Sequence, residues 1–301
     1  MIGINDILTL TTALLIAWSC SLLGCFLVLR KVVMVGDAIS HSVLPGIVIA
    51  YLVSTQFNSV FILVGAAVFG VFTTFIIDFF HKKLKLQEDA SIGVTFTWLF
   101  ALGVILIALF TDGNTDLDQD CVLFGELGTS FLDKIIYNGR LYGTRSIFMI
   151  FPVFILIVLF VVKGFKGLQI MSFHQEYAQS KGIHVNFWHY SFMALVSITT
   201  VMSFESVGAI LVVGLLVIPP ATAYLLVNRL IPMLWLSCFI ASLSCFGGYY
   251  LSIFFDVSLS SMIVVFAGTL FISILLYQKI KNISKKNISK PLAIVEELEL
   301  K

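Results

Sequence analysis

Asp37 and His41 stand four residues apart inside a long apolar run, Gly36-Asp-Ala-Ile-Ser-His-Ser-Val-Leu-Pro-Gly46. On a helix that spacing puts a carboxylate and an imidazole on one face, one turn apart. Hydrocarbon is a costly place for either group, so an intramembrane Asp/His pair points to function. Met34 falls on the same face one turn earlier, and Ser40 and Ser42 flank the pair. Pro45 follows His41 by four residues. It has no N–H, so the His41 carbonyl loses its ordinary helix partner. Carboxylate, imidazole and freed carbonyl are oxygen and nitrogen ligands suited to a divalent first-row ion. Incomplete coordination suits a pathway, because an ion must also leave. On the residues alone, the pair is part of a metal or proton pathway, or an Asp–His hydrogen bond that locks two helices together.

Other stretches carry weaker signals. In Gly208-Ala-Ile-Leu-Val-Val-Gly-Leu-Leu-Val-Ile-Pro-Pro-Ala-Thr-Ala-Tyr224, Pro219 and Pro220 free the carbonyls of Leu215 and Leu216 and bend the helix. A broken helix at membrane depth is tolerated where it is buried in protein or lines a cavity. An ordinary proline kink accounts for it equally well. Glu205 stands at the outer end of this span, as a mouth ligand or as a carboxylate among headgroups. The acidic run Asp112 to Asp120 concentrates negative charge but lacks the order of an EF-hand loop, and reads as a solvated loop. Between two spans, His174-Gln-Glu-Tyr-Ala-Gln-Ser-Lys-Gly-Ile-His184 is a polar, helix-capable segment with Gly182 in a place suited to C′. His174, His184 and His189 lack metal-site spacing and read as interfacial.

The elements that must position these residues follow from composition. Of 301 residues, 59% are apolar and 12% charged, against about 25% charged in soluble domains. Nine apolar segments stand out, at 10–29, 34–53, 57–80, 90–110, 146–163, 187–204, 206–227, 231–252 and 259–278. Most reach the roughly 20 residues that cross a bilayer. Eight spans remain open, because 187–204 and 206–227 are joined by almost nothing. Basic clusters at Arg30-Lys31, His81 to Lys85, Lys163 to Lys181, Arg229 and Lys279 to Lys290 all fall on one side when nine spans alternate. That side is the cytoplasm by the positive-inside rule, with the N-terminus outside and the C-terminus inside. His41 then sits roughly 14 Å deep, at 1.5 Å per residue from Val32. Met1 to Asp6 has no basic n-region, so no cleavable signal peptide is expected. Cys20, Cys25, Cys238 and Cys245 lie in apolar segments and read as small helix residues, with Cys121 alone in a polar loop. Gly65, Ala66, Gly70, Gly103, Gly208, Gly214, Gly247 and Gly248 permit close helix approach. The sequence contains no G-x-x-x-x-G-K-[ST], H-E-x-x-H or G-x-S-x-G run, so ATP binding by a Walker A loop and the usual hydrolase parts are not expected.

At these residues the chain resembles the ABC-3 family, the membrane permeases of bacterial ABC importers for manganese, zinc or iron. The resemblance rests on Val35 to Gly46, Glu88-Asp-Ala-Ser-Ile-Gly93, Leu117 to Gly125, Glu176-Tyr-Ala with Gly182, and Val207-Gly-Ala-Ile-Leu through Tyr224, in the family's order over nearly the whole chain. It implies a pair of permease subunits, identical or paralogous, and separate cytoplasmic ABC ATPase subunits. It also implies an extracytoplasmic metal-binding protein that delivers the ion. Asp37 and His41 match the family's metal-coordinating Asp and His. Glu176, Ala178 and Gly182 match the region that couples to the ATPase. The run at 203–208 and the acidic loop look more like the manganese/iron branch than the zinc branch.

The resulting expectation is an all-α, polytopic protein of the bacterial cytoplasmic (inner) membrane, with eight to nine transmembrane helices of the ABC importer permease type. Residues 1–280 form the transmembrane permease domain, with a cytoplasmic coupling segment at about 170–186, and 281–301 a basic cytoplasmic tail. The expected function is transport rather than enzymatic turnover. The cargo is Mn, Zn or Fe, carried by alternating access that a separate ATPase drives. No cofactor is held permanently and no nucleic acid is bound. The expected metal ligands are Asp37 and His41, with Glu205 and Met34 as weaker candidates, and Pro45, Pro219 and Pro220 mark breaks along the pathway. The alternative is a secondary metal transporter coupled to protons or sodium.

Overall fold

A computed structural model describes residues 4–54, 59–110, 134–137, 140–173, 175–182 and 184–299, some of them by backbone alone. The helices are α1 Ile4–Arg30, α2 Val33–Ser42, α3 Leu44–Ser54, α4 Ser59–Lys83, α5 Glu88–Phe110, α6 Arg145–Phe173, α7 Gln175–Ser180, α8 Val185–Val207, α9 Ala209–Leu226, α10 Leu230–Phe255 and α11 Leu259–Glu299. The helical class expected from composition holds, with one addition. Strands β1 (Lys134–Tyr137) and β2 (Arg140–Thr144) pair antiparallel, with Lys134 opposite Thr144 and Tyr137 opposite Arg140. The long connection between α5 and α6 thus contains a hairpin that the sequence reading passed over. Residues 112–126, with the acidic loop and Cys121, lie outside the described residues.

α1 is apolar nearly all round, and a helix of that kind is buried. Ile16, Leu23, Phe26 and Leu27 are fully buried, and α1 packs against α6, α9 and α10. On the outside the pattern reverses: Trp235, Phe239, Phe254 and Ile272 are exposed on α10 and α11. Apolar exposure on that scale suits a lipid solvent rather than water. Among the described residues, seven helical stretches are long and apolar enough to cross a membrane: Asp6–Arg30, Val33–Ala50, Glu88–Phe110, Arg145–Phe173, Ala209–Leu226, Leu230–Phe255 and Leu259–Lys281. The sequence segments 57–80 and 187–204 form α4 and α8 but are not among the seven. α8 carries Ser197, Thr199, Thr200, Ser203 and Ser206, which lower its hydropathy and are buried against neighbouring helices.

Gly65, Gly70, Gly103, Gly214, Gly247 and Gly248 stand where helices meet closely. A Cβ on Gly65 would lie 2.8 Å from the Gly46 carbonyl, and one on Gly248 2.5 Å from the Ile263 Cα. Gly208 has a different task. It is the single residue between α8 and α9, with φ 82° and ψ 160°, a region essentially reserved for glycine. Its N–H still donates to the Phe204 carbonyl at 3.1 Å, while its carbonyl accepts from Val212 N–H at 3.4 Å. The chain therefore turns without leaving either helix end bare. Gly208→Ala is expected to destabilise the fold by about 1–3 kcal/mol, read as a lower unfolding midpoint in detergent. The four apolar-segment cysteines are free thiols, three of them buried, as their sequence setting implied.

Candidate functional site

The Asp37 segment is a helix broken in the place the proline requires. α2 ends at Ser42, Val43 forms a turn, and α3 starts at Leu44, one residue before Pro45. Val43 N–H donates to the Ile39 carbonyl at 3.2 Å and Ile47 N–H to the Val43 carbonyl at 3.1 Å, so the ladder is kept on either side of the break. The break is pinned to α4, where Ser42 Oγ and Thr73 Oγ1 lie 2.8 Å apart. It is pinned to α5 as well: a Cβ on Gly103 would lie 3.0 Å from Leu44 Cδ2 and from Pro45 Cδ.

α2 turns Val35, Ala38 and Ile39 into the core. Its other face carries Met34, Asp37 and His41, at the spacing that puts them in one row. Met34 is 62% exposed, and the side chains of Asp37 and His41 are 44% and 26% exposed. Asp37 Oδ1 and His41 Nε2 are 3.6 Å apart. Two ligands of one ion, each at about 2.0–2.2 Å and separated by a right to tetrahedral angle, stand about 2.8–3.6 Å apart. The pair can share an ion with little movement. Both groups belong to α2, so their contact ties no second helix. The His41 ring packs on Phe96 and Phe100 of α5, with centroids 5.5 and 6.3 Å away, which restricts how the imidazole can turn.

The second proline region lies behind this face. α9 runs unbroken through Pro219 and Pro220, both buried, where the sequence suggested a bend or break. A Cβ on Gly36 would lie 3.0 Å from Leu216 Cδ2, so the helix that carries Asp37 rests on the residue whose carbonyl Pro220 deprives of a partner. Glu205 lies near the end of α8, with its side chain outside the described residues. Among the described residues, no three His, Cys, Asp or Glu side chains form a ready-made ligand set. Asp37 and His41 stand as a carboxylate–imidazole pair on an accessible face.

The segment before Gly182, which the sequence left as helix or loop, forms the short helix α7. It is followed by Lys181 and by Gly182 at φ 74°, and Gly182 N–H donates to the Gln179 carbonyl at 3.0 Å. Glycine at a left-handed C′ position is what ends such a helix. Ala178 is fully buried and packs with Met171 and Val185, while Tyr177 stays 53% exposed. One face of α7 is thus anchored on α6 and α8 and the other is presented outward. A shallow groove along Gln179, Gly182, His184, Val185, Asn186 and Phe187 adjoins it. His174 and the Glu176 side chain lie outside the described residues.

His189 packs inward at the basic end of the bundle. It is half-buried in α8, with Nε2 3.4 Å from Asp78 Oδ2 of α4. The signal available in the sequence was Asp78 itself, a carboxylate inside the apolar segment 57–80.

Comparison with known proteins adds independent findings. The model of the ABC 3 transport family matches residues 7–278. The manganese transport system membrane protein MntD of Bacillus subtilis is 39% identical over 279 residues, 93% of this chain and 94% of that protein. The zinc transport system membrane protein TroD of Treponema pallidum is 37% identical over 265 residues, 88% of this chain and 72% of that protein. Among solved structures, PsaBC from Streptococcus pneumoniae in complex with Fab matches with a TM-score of 0.74 at 31% identity, over 90% of this chain and 91% of that one.

Proposed function

The chain belongs to the ABC 3 transport family, and from that premise we propose that it is the membrane-spanning permease subunit of an ATP-driven importer for a divalent transition-metal ion: Mn, Zn or Fe. The observation that carries the reading is the Asp37–His41 pair, 3.6 Å apart on an accessible face of a broken helix. Its oxygen and nitrogen donors suit all three ions. The names of the relatives, manganese for MntD and zinc for TroD, agree with that donor set.

The metal is cargo. Asp37 and His41 bind it briefly in transit, and two protein ligands leave coordination positions for water, so release stays easy. A half-exposed carboxylate inside the membrane is costly against lipid. The Met34, Asp37 and His41 face therefore meets a second permease subunit. Nine crossings, with α4 and α8 counted, put every main basic cluster and the α7 surface on the cytoplasmic side. There α7 and the groove beside it receive a separate ATPase, through Glu176, Ala178 and Gly182, while an extracytoplasmic binding protein delivers the ion. Residues after 280 continue on the cytoplasmic side as a basic extension.

The test is uptake by proteoliposomes that hold this chain with its ATPase, supplied with the binding protein and radiolabelled Mn(II). Uptake is expected to require ATP inside the vesicle and to persist when an uncoupler collapses the proton gradient. Uptake that ignores ATP and stops with the uncoupler would overturn the reading in favour of a secondary transporter.

A further inference from the structure

On the other side of α2 from the Asp37 face, α2, α4, α5 and α8 enclose a small cavity. It lies at the end of the bundle that carries His81-Lys82-Lys83. Val32, Val35, Thr74, Ile77 and Met193 form its apolar and neutral walls, and Asp78, His81, Glu88 and His189 line the rest. Its volume is about 30 Å³, room for one or two water-sized occupants.

The polar groups in it are not at rest with one another. His189 Nε2 is buried and has no hydrogen bond beyond its 3.4 Å approach to Asp78 Oδ2. A buried ring nitrogen in that condition calls for an occupant, a water or an ion. The same Oδ2 accepts from Lys82 Nζ at 2.8 Å and, at 3.4 Å, from the Tyr190 hydroxyl. Asp78 therefore already holds a cation, the tethered ammonium of a lysine whose side chain is 56% exposed and free to swing into solvent. The 3.4 Å between Oδ2 and Nε2 again falls within the roughly 2.8–3.6 Å that two ligands of one small ion require.

We propose that this cavity is a second binding site for a divalent first-row cation, with Asp78 and His189 as its ligands, water completing the shell, and Lys82 as an internal competitor. His81 and Glu88, on the cavity rim, attract the ion without a fixed place in its shell. The site lies within one subunit, behind α2, so occupancy ties α4 to α8 there. It stands apart from the transit role of Asp37 and His41 and needs neither an ATPase nor a second permease.

The test uses the full chain in lipid nanodiscs and counts bound Mn(II) by the loss of its free-ion EPR signal. The Asp37→Asn/His41→Gln chain is expected to keep one class of binding. Adding Asp78→Asn or His189→Gln removes that class, while Tyr190→Phe, which leaves both ligands in place, retains it. Lys82→Met keeps both ligands and frees Oδ2, so affinity rises about two- to fivefold, the range a half-exposed ion pair can exert. A purely structural Asp78–Lys82–His189 cluster predicts no such gain. Binding that vanishes with Asp37 and His41 alone, or that Lys82→Met leaves unchanged or weakens, would overturn the proposal.

Discussion

Asp37→Asn and His41→Gln each lower the initial rate of metal uptake by about two orders of magnitude in the reconstituted transporter, and the chain stays folded. Even an outer partner of a metal ligand is worth about 10–100-fold, and in the proposed function these two touch the ion directly. Asn keeps the shape of Asp and loses its charge. Gln keeps reach at position 41 and loses the imidazole nitrogen. Both side chains are partly exposed, at 44% and 26%, so neither change opens a cavity in the core. If the pair were only structural, the yield of folded protein would fall and uptake per folded molecule would not. Met34, more exposed than either, adds a soft thioether to the row. Met34→Leu is accordingly expected to change uptake only a few-fold. The decisive measurement is uptake per mole of folded, ATPase-bound permease.

That pair was legible because its information is local. A period of 3.6 put Asp37 and His41 on one face, and a missing N–H at Pro45 marked a break in the segment without fixing where α2 ends. Gly182 was legible for the same reason: a glycine after a short polar run adopts the left-handed conformation that stops α7. Two things were not read, and they differ in kind. The hairpin had its signal, since Asn138-Gly139 separates β1 from β2 and Asn-Gly is a strong two-residue turn sequence. It was obscured by the long connection in which it sits. Asp78 had a local signal, a carboxylate inside an apolar segment, but nothing in the sequence tied it to His189. Which face of α4 meets which face of α8 depends on packing across the bundle, and Asp78 next to Lys82 and Lys83 reads in sequence as part of a topology anchor. The prolines of α9 are a third case. Each proline lacks an N–H wherever it stands, but whether freed carbonyls break a helix depends on what covers them, and that is supplied by α1.

Gly24 supplies that cover, and Gly24→Ala is the packing change with the largest expected cost. Pro220 removes the N–H that the Leu216 carbonyl would otherwise accept. α1 crosses α9 at this point, and a Cβ on Gly24 would overlap the Leu216 carbonyl oxygen and lie 2.7 Å from Pro220 Cγ. At Gly24, with no Cβ on α1, the two backbones approach closely enough for a Cα–H to face the oxygen that Pro220 leaves without its i+4 donor, a weak contact worth about 0.5–1 kcal/mol. A methyl group there meets backbone rather than the yielding end of a side chain, so α1 and α9 must separate. Overpacking alone costs about 1–3 kcal/mol. Separation also loosens the contacts of Leu23 and Leu27, which are fully buried, and lifts Leu216 away from Gly36 behind Asp37. Gly24→Ala is therefore expected to lower the unfolding midpoint markedly, and Gly24→Val to abolish accumulation of the folded chain. Gly268→Ala is the matched control: nothing lies within 4 Å of a Cβ there, and alanine favours helix over glycine by up to about 1 kcal/mol. Equal midpoints for Gly24→Ala and Gly268→Ala would mean that close approach at Gly24 plays no part in holding α9 together through its two prolines.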